Sequence, residues 1–273
     1  MPCGGLPFGG WVTMSYLNQD YHIHTRYSFC GWDENRPEAI LRQMARFGFK
    51  TVGFSDHLHP ITDPAGFTLL RQELAAIETE VTTLVGTEAE VLNPHVTTVT
   101  AEDVEMFDYI ILSPNHFHLG WVEVPPLLSP RKAAEYVLAM HRKAASTVFA
   151  DIIAHPFAKA EELGDEAEVL GAVKAEEIAD LVELAKANGV AFEFRLENGD
   201  QGPLADVLLE LYRQCHNRGC KVSSGSDSHW LESLGHTQTL GPAVQRAGLT
   251  EADFLDLSHR ARTAGQGCRA FPG

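Results

Sequence analysis

Asp20-Tyr21-His22-Ile23-His24 is the stretch on which the reading of this chain turns. It reads as a short buried strand that ends in two histidines one residue apart. Residues i and i+2 of a strand share a face, so His22 and His24 project together. Two neutral imidazoles aimed at one point suit a divalent cation. Taken alone, the pattern equally describes a strand with two polar residues on its wet face. Later strands that end in the same chemistry decide between the two.

Working outward, Thr51-Val52-Gly53-Phe54-Ser55 reads as a second strand and runs into Asp56-His57. A third, over 83–85, ends at Gly86-Thr87-Glu88. A fourth, over 108–112, leads to His116, and a fifth, over 151–154, to His155-Pro156. A sixth spans 190–196. The seventh, over 221–224, ends at Gly225-Ser226-Asp227-Ser228-His229. Helical spacing of apolar residues predicts helices over 38–47, through Leu69, Leu70, Leu74 and Ile77, onward from Pro130, and over 176–187 and 204–216. A last helix is predicted over 250–262. Pro37 and Pro130 suit first helical positions, and Gly48, Gly189 and Gly219 suit helix ends. Short apolar strands separated by crossover helices make a parallel sheet covered on both faces. The expected architecture is a single α/β barrel of seven or eight β/α units over residues 20–273. Residues 1–19 are expected to be a flexible or non-native segment, with Met14 as an alternative start.

Composition narrows the function classes. The 273 residues carry 21 Lys and Arg against 37 Asp and Glu, a net charge of −16. Such a surface repels polyphosphate backbones and argues against nucleic acid as a partner. A small anionic substrate stays compatible, because bound cations reverse the charge locally. Five scattered cysteines (Cys3, Cys30, Cys215, Cys220, Cys268) form no disulfide framework and point to a reducing compartment. The first residues lack the charged start and apolar run of a signal peptide, and no stretch is apolar for long enough to cross a bilayer. A soluble, cytoplasmic protein with no membrane partner is the expectation. The oligomeric state is left open.

In a β/α barrel the C-terminal strand ends form one rim, where active sites sit. His22, His24, His57, Glu88, His116, His155, Asp227 and His229 all fall at strand ends, with Asp56 beside them. Imidazoles mixed with a few carboxylates suit Zn, Mn or Fe(II) better than Ca or Mg cages. So many ligands exceed what one ion needs, so two or three are implied, with Glu88 able to bridge a pair. Clustered cations lower the pKa of a shared water and clamp phosphoryl oxygens, which points to phosphoester hydrolysis.

His22-Ile-His24-Thr, Ser55-Asp56-His57, Gly86-Thr-Glu88, His116, His155-Pro156 and Gly225-Ser-Asp227-Ser-His229 together resemble the PHP family, named for polymerase and histidinol phosphatase. The resemblance covers about residues 20 to 260. It implies a distorted seven-stranded, TIM-like β/α barrel with two or three metal ions. By the same resemblance, His22, His24, Glu88 and Asp227 would hold a first ion, and Glu88, His116 and His155 a second. His57 and His229 would belong to a third. Histidinol-phosphatase-like members carry a further histidine where this chain has Cys30. The thiol is either a ligand or a buried structural group.

Other polar residues have weaker claims. Asp56 is expected to orient a ligand or relay a proton. Arg195, at the end of the sixth strand, is expected to contact substrate, and His118 to touch the leaving group. Arg26 and Lys159 read as ion-pairing residues. His59, His95, His141, His216, His236 and His259 read as surface or helix histidines. The function these features favour is hydrolysis of a small phosphorylated metabolite, histidinol phosphate being the first candidate. A phosphodiesterase or exonuclease of the same family is the alternative, and a non-catalytic domain would be expected to have lost ligands.

Overall fold

The structure, a computed structural model, describes residues 17–126 and 128–261. The predicted N-terminal segment therefore lies outside the described residues up to position 16, as do Cys3 and Cys268. In chain order the elements are β1 (Gln19–Ile23), α1 (Pro37–Arg46), β2 (Thr51–Phe54), β3 (His57–Leu58), α2 (Ala65–Ala75), β4 (Thr82–Val85), β5 (Thr87–Asn93) and β6 (Val96–Thr97). There follow β7 (Ile110–Ser113), α3 (Pro130–Ala145), β8 (Ile152–Ile153), α4 (Glu166–Gly171), α5 (Ala175–Ala187), β9 (Ala191–Glu193), α6 (Pro203–Arg218), β10 (Val222–Ser223) and α7 (Gly241–Arg246).

The strands make a ring. β1, β2 and β4 pair in parallel, as do β3, β5, β7, β8, β9 and β10 in that order. β2 and β3 are two halves of one strand interrupted at Ser55-Asp56, and β4 and β5 are two halves of another interrupted at Gly86. Across those breaks Gly86 N donates to Phe54 O and Glu88 N to Asp56 O. The seam between β1 and β10 is closed by Tyr21 N to Ser224 O, Ser228 N to His22 O and His24 N to Ser228 O. Seven parallel staves thus run round the barrel, and the distorted (β/α)7 expectation holds.

Alternation sorts the apolar residues. Ile110, Leu112 and Ile153 belong to the large core between strands and helices. Their neighbours Ile111 and Ile152 join Tyr21, Leu84, Tyr109, Ala154 and Leu257 in a smaller cluster, which the period of two places inside the ring. Tyr109 packs closely against two staves. A Cβ on Gly53 or Gly86 would overlap its ring, so the chain can cross there only without a side chain. Each covering helix buries one stripe, such as Ile40, Leu41 and Met44 of α1. Pro37, Pro130 and Pro203 open their helices as first-turn prolines do.

Two expectations fail in detail. The third stave does not end at Glu88: β5 continues to Asn93 and turns into the short antiparallel β6. The predicted helix over 250–262 is replaced by two single turns, over 251–253 and 258–260. A Thr250–Asp253 capping box closes the first turn, and Leu255 N then donates to Val222 O, tying the segment to β10. Residue 262 lies outside the described residues. Among the described residues no helix is long and apolar enough to cross a membrane.

Candidate metal centre

All eight strand-end ligands predicted from sequence, and Cys30, meet at the C-terminal mouth of the ring. Four atoms make the tightest group. His22 Nε2 stands 3.2 Å from Glu88 Oε2 and 3.4 Å from Asp227 Oδ1, and His24 Nε2 stands 3.3 Å from each. For a tetrahedral zinc with bonds of about 2.0–2.2 Å, neighbouring ligand atoms are about 3.3–3.5 Å apart. The four distances therefore fit a cation at the centre. His22 Nε2 and Glu88 Oε2 are fully buried and make no hydrogen bond, which would be costly were no ion to satisfy them.

A second donor set shares Glu88. Its other oxygen, Oε1, lies 2.9 Å from His155 Nε2 and 3.7 Å from His116 Nε2. A third set gathers His24, Cys30, His57 and His229, each offering one atom within 4.8 Å of the others. A further grouping of His57, Glu90 and His116 overlaps the second and third. His155 and Asp227 adopt φ of 26° and 55°, a region that non-glycine residues avoid. Two of the ligands are thus held in strained backbone by their surroundings.

The outer contacts fix which nitrogen faces inward. His22 Nδ1 donates to Glu193 Oε1 at 2.7 Å, His116 Nδ1 to Glu90 Oε2 at 2.8 Å, and His229 Nδ1 to the Asp227 carbonyl at 2.9 Å. A carboxylate or carbonyl only accepts, so the proton sits on Nδ1 and Nε2 keeps its lone pair for a cation. Glu193 also accepts from His155 N–H at 2.7 Å, so one carboxylate positions ligands from two staves.

Electrostatics follow from these contacts. Burial opposes charge on His22, but the Glu193, Glu88 and Asp227 carboxylates outweigh it and hold the imidazole well above its ordinary value. Burial likewise opposes charge on Glu88, yet His57 and His22 hold it well below the usual carboxylate range. Cys30 is drawn down to about 3 by His229, His24 and His57 despite partial burial. Protons and cations compete for the same cluster of donors, so metal binding expels protons.

The sequence-predicted residues outside the ligand set take different places. Asp56 accepts from both Thr25 N–H and Thr25 Oγ1, at 2.6 Å each. Both its oxygens are thus engaged with the loop after β1. Arg195 donates to Ser226 O at 3.1 Å and lies 3.9 Å from Asp227 Oδ2, beside the first donor set. His118 is exposed, its ring 5.6 Å from that of His116. Arg26 pairs with Glu73 at 3.0 Å.

Three carboxylates and a histidine were missed. Glu193, Glu90 and Asp20 are buried, Asp20 accepting from His22 N and Ser226 N. His59 is not a surface residue: it is 4% exposed, 3.1 Å from Glu90 and stacked on His57. The spacing carried the signal, because His57-Leu-His59 and Glu88-Ala-Glu90 repeat the one-residue alternation of His22 and His24. His141 is a helix residue as expected, but fully buried.

The family model described as PHP domain matches residues 20–197. The chain belongs to the PHP domain family. The matched part of this PHP domain ends before Asp227 and His229, and the β1–β10 seam brings those two residues to the other ligands. No curated protein matches. The crystal structure of A. niger ochratoxinase is similar at 13% identity and a TM-score of 0.43, covering 90% of this chain and 69% of that one. That likeness is too loose to carry fold or function. Family membership and the donor sets together make the PHP domain a metal-dependent hydrolase scaffold.

Proposed function

We propose that this protein is a phosphomonoesterase acting on a small phosphorylated metabolite, with two or three Zn, Mn or Fe ions as its cofactors. The observation that carries the reading is Glu88, whose two oxygens serve adjoining donor sets: His22, His24 and Asp227 on one side, His116 and His155 on the other. Such sharing suits a pair of cations close enough to act on one substrate group. When bound, the cations supply activation of water and neutralisation of phosphoryl charge.

The chain's own residues do the rest. Glu193 and Glu90 keep the ring nitrogens of His22 and His116 in the ligating tautomer. Arg195 holds a guanidinium beside the first donor set, where planar donors match a phosphoryl group. His118, exposed and with its ring 5.6 Å from that of His116, is the candidate to contact the leaving group. The net charge of −16 favours a small ester over a polynucleotide.

The test compares p-nitrophenyl phosphate with bis-p-nitrophenyl phosphate in the presence of Zn, Mn or Fe(II), followed by a panel of phosphorylated metabolites beginning with histidinol phosphate. Turnover of the monoester, lost in His22→Ala, is expected. Preference for the diester would replace the proposal with the phosphodiesterase reading. Inactivity with every metal would overturn it.

A further inference from the structure

The packed interior of the ring leaves a bound ester one way out. Tyr21, Leu84, Tyr109, Ile111 and Ile152 fill that interior. A phosphoryl group held beside Glu88 must therefore project its alcohol through the C-terminal mouth, across the loops that follow the staves. Those loops carry exposed aromatic surface. Among the described residues the exposed Phe and Trp side chains are Phe29 and Trp32 after β1, Trp230 after β10, and Phe47 at the end of α1. We propose that Phe29, Trp32 and Trp230 form an aromatic rim that binds the alcohol portion of the substrate and selects phosphomonoesters carrying an uncharged aromatic ring.

Ring contacts join this rim to the metal centre from two sides. On one side, Phe29 lies edge-on to His59 with centroids 6.0 Å apart, and His59 stacks on His57 at 4.4 Å. Trp121, from the loop after β7, packs against the same His59 ring at 4.9 Å. On the other side, the Trp230 ring lies 6.1 Å from that of His229, which is 4.4 Å from that of His24. The apolar surface is thus continuous with the ligands. It is also held in place. Ser28 N donates to Thr25 O at 3.0 Å, Gly31 N to Ser28 O at 3.0 Å and Asn35 N to Trp32 O at 2.9 Å, so the segment bearing Phe29 and Trp32 is a run of closed turns. Asn35 Nδ2 donates to the carbonyls of His24 and His229, which ties that segment to two ligands. The Trp230 carbonyl accepts from the hydroxyls of Ser228 and Ser233, at 3.0 and 2.8 Å.

Phe29 is 75% exposed, Trp32 59% and Trp230 49%, so each keeps surface free for a ligand. Aromatic side chains on a fixed backbone offer a large contact area at small entropic cost. A polyol would lay hydroxyls on that surface and lose their hydration for little gain. A cationic alcohol would be attracted by the ring faces but repelled by the metal ions beside them. An uncharged aromatic ring gains from the rim without either penalty.

This inference rests on the phosphomonoesterase reading and narrows its substrate. The metal-loaded, full-length protein is given 3-phenylpropyl phosphate, propyl phosphate, glycerol 3-phosphate and phosphocholine. The first two release alcohols of like acidity, so their chemical steps are matched. The phenyl ester is expected to exceed the propyl ester in kcat/KM by about tenfold or more, chiefly through KM. In Phe29→Ala and in Trp230→Ala that ratio should fall by about threefold or more, and in Trp230→Phe most of it should be kept. Circular dichroism and metal content check that the variants are intact. A ratio near one in the wild type, a ratio unmoved in both alanine variants, or a preference for glycerol 3-phosphate or phosphocholine would overturn the proposal. So would a dimer in sedimentation that Trp32→Ala dissociates while the ratio stays fixed, since the rim would then be an interface between copies. Should every ester be inert, the phosphomonoesterase reading fails and the rim is judged by binding. The non-hydrolysable 3-phenylpropylphosphonate should then bind more tightly than propylphosphonate by the same factor, and equal affinities would overturn the rim as well.

Discussion

Gly225→Ala should weaken metal binding although the residue touches no cation. Its backbone needs no left-handed conformation, so the effect comes from space alone. A Cβ at this position would overlap Glu193 Oε1 and stand 2.8 Å from His22 Cβ and 3.1 Å from Glu193 Cδ. The carboxylate must retreat by about 1 Å to reach ordinary van der Waals contact. That displacement breaks the 2.7 Å contact with His22 Nδ1, which fixes the ring's tautomer and direction. Glu193 cannot swing away freely, because its other oxygen holds His155 N–H at 2.7 Å. Loss of such an outer carboxylate costs about 10–100-fold in metal affinity. Overpacking adds about 1–3 kcal/mol of destabilisation. Chelator competition reads the first quantity and urea denaturation of the metal-free protein the second. The reasoning predicts a specific coupling: in a Glu193→Ala background, the alanine at 225 has no carboxylate to strike and only the 2.8 Å approach to His22 Cβ remains, so it should cost less affinity there than in the wild type. Additive losses in the double variant would refute it, as would wild-type zinc affinity in folded Gly225→Ala.

Three further outcomes are expected. Glu88→Gln should remove cations from both sets that share the carboxylate, so the metal content measured by elemental analysis should fall by more than one ion per chain. Gly86→Ala places a methyl into the Tyr109 ring inside the barrel and should lower the urea midpoint by an amount equivalent to about 1–3 kcal/mol, with no direct contact to a ligand. His141 donates from Nδ1 to Val137 O and accepts at Nε2 from Phe157 N–H, and burial pushes its pKa down to about 4. The unfolded ring takes a proton near pH 6.5 while the folded one does not, so the stability that the neutral ring contributes is complete above about 6.5 and is lost as pH falls toward 4. The full loss is at most about 3 kcal/mol, and His141→Gln should flatten the wild-type stability profile across that window; parallel profiles would refute the assignment.

What could be read from the sequence divides along a physical line. The ligands were legible because a cation demands particular donors and a strand presents them at local spacing: His22 and His24 are two apart, as are Asp227 and His229. The barrel was legible for a related reason, since alternating apolar strands and proline-opened helices leave few architectures. The outer carboxylates were not. Glu193 reaches His22 across 171 residues of chain, and only the register of β9, β10 and β1 around the closed ring places it there. Glu90 was hidden by ending the third stave at Glu88, a natural stop after Gly86-Thr87 in a stave that continues to Asn93. The two contacts of Asp56 to Thr25 were equally hidden, since they join residues 31 apart in the chain. Local spacing thus reveals what binds a metal, and ring register decides how tightly each ligand is aimed. The pairing of Glu193 with Gly225 belongs to the second kind: a buried acid on one stave and the side-chain-free residue that makes room for it on the next.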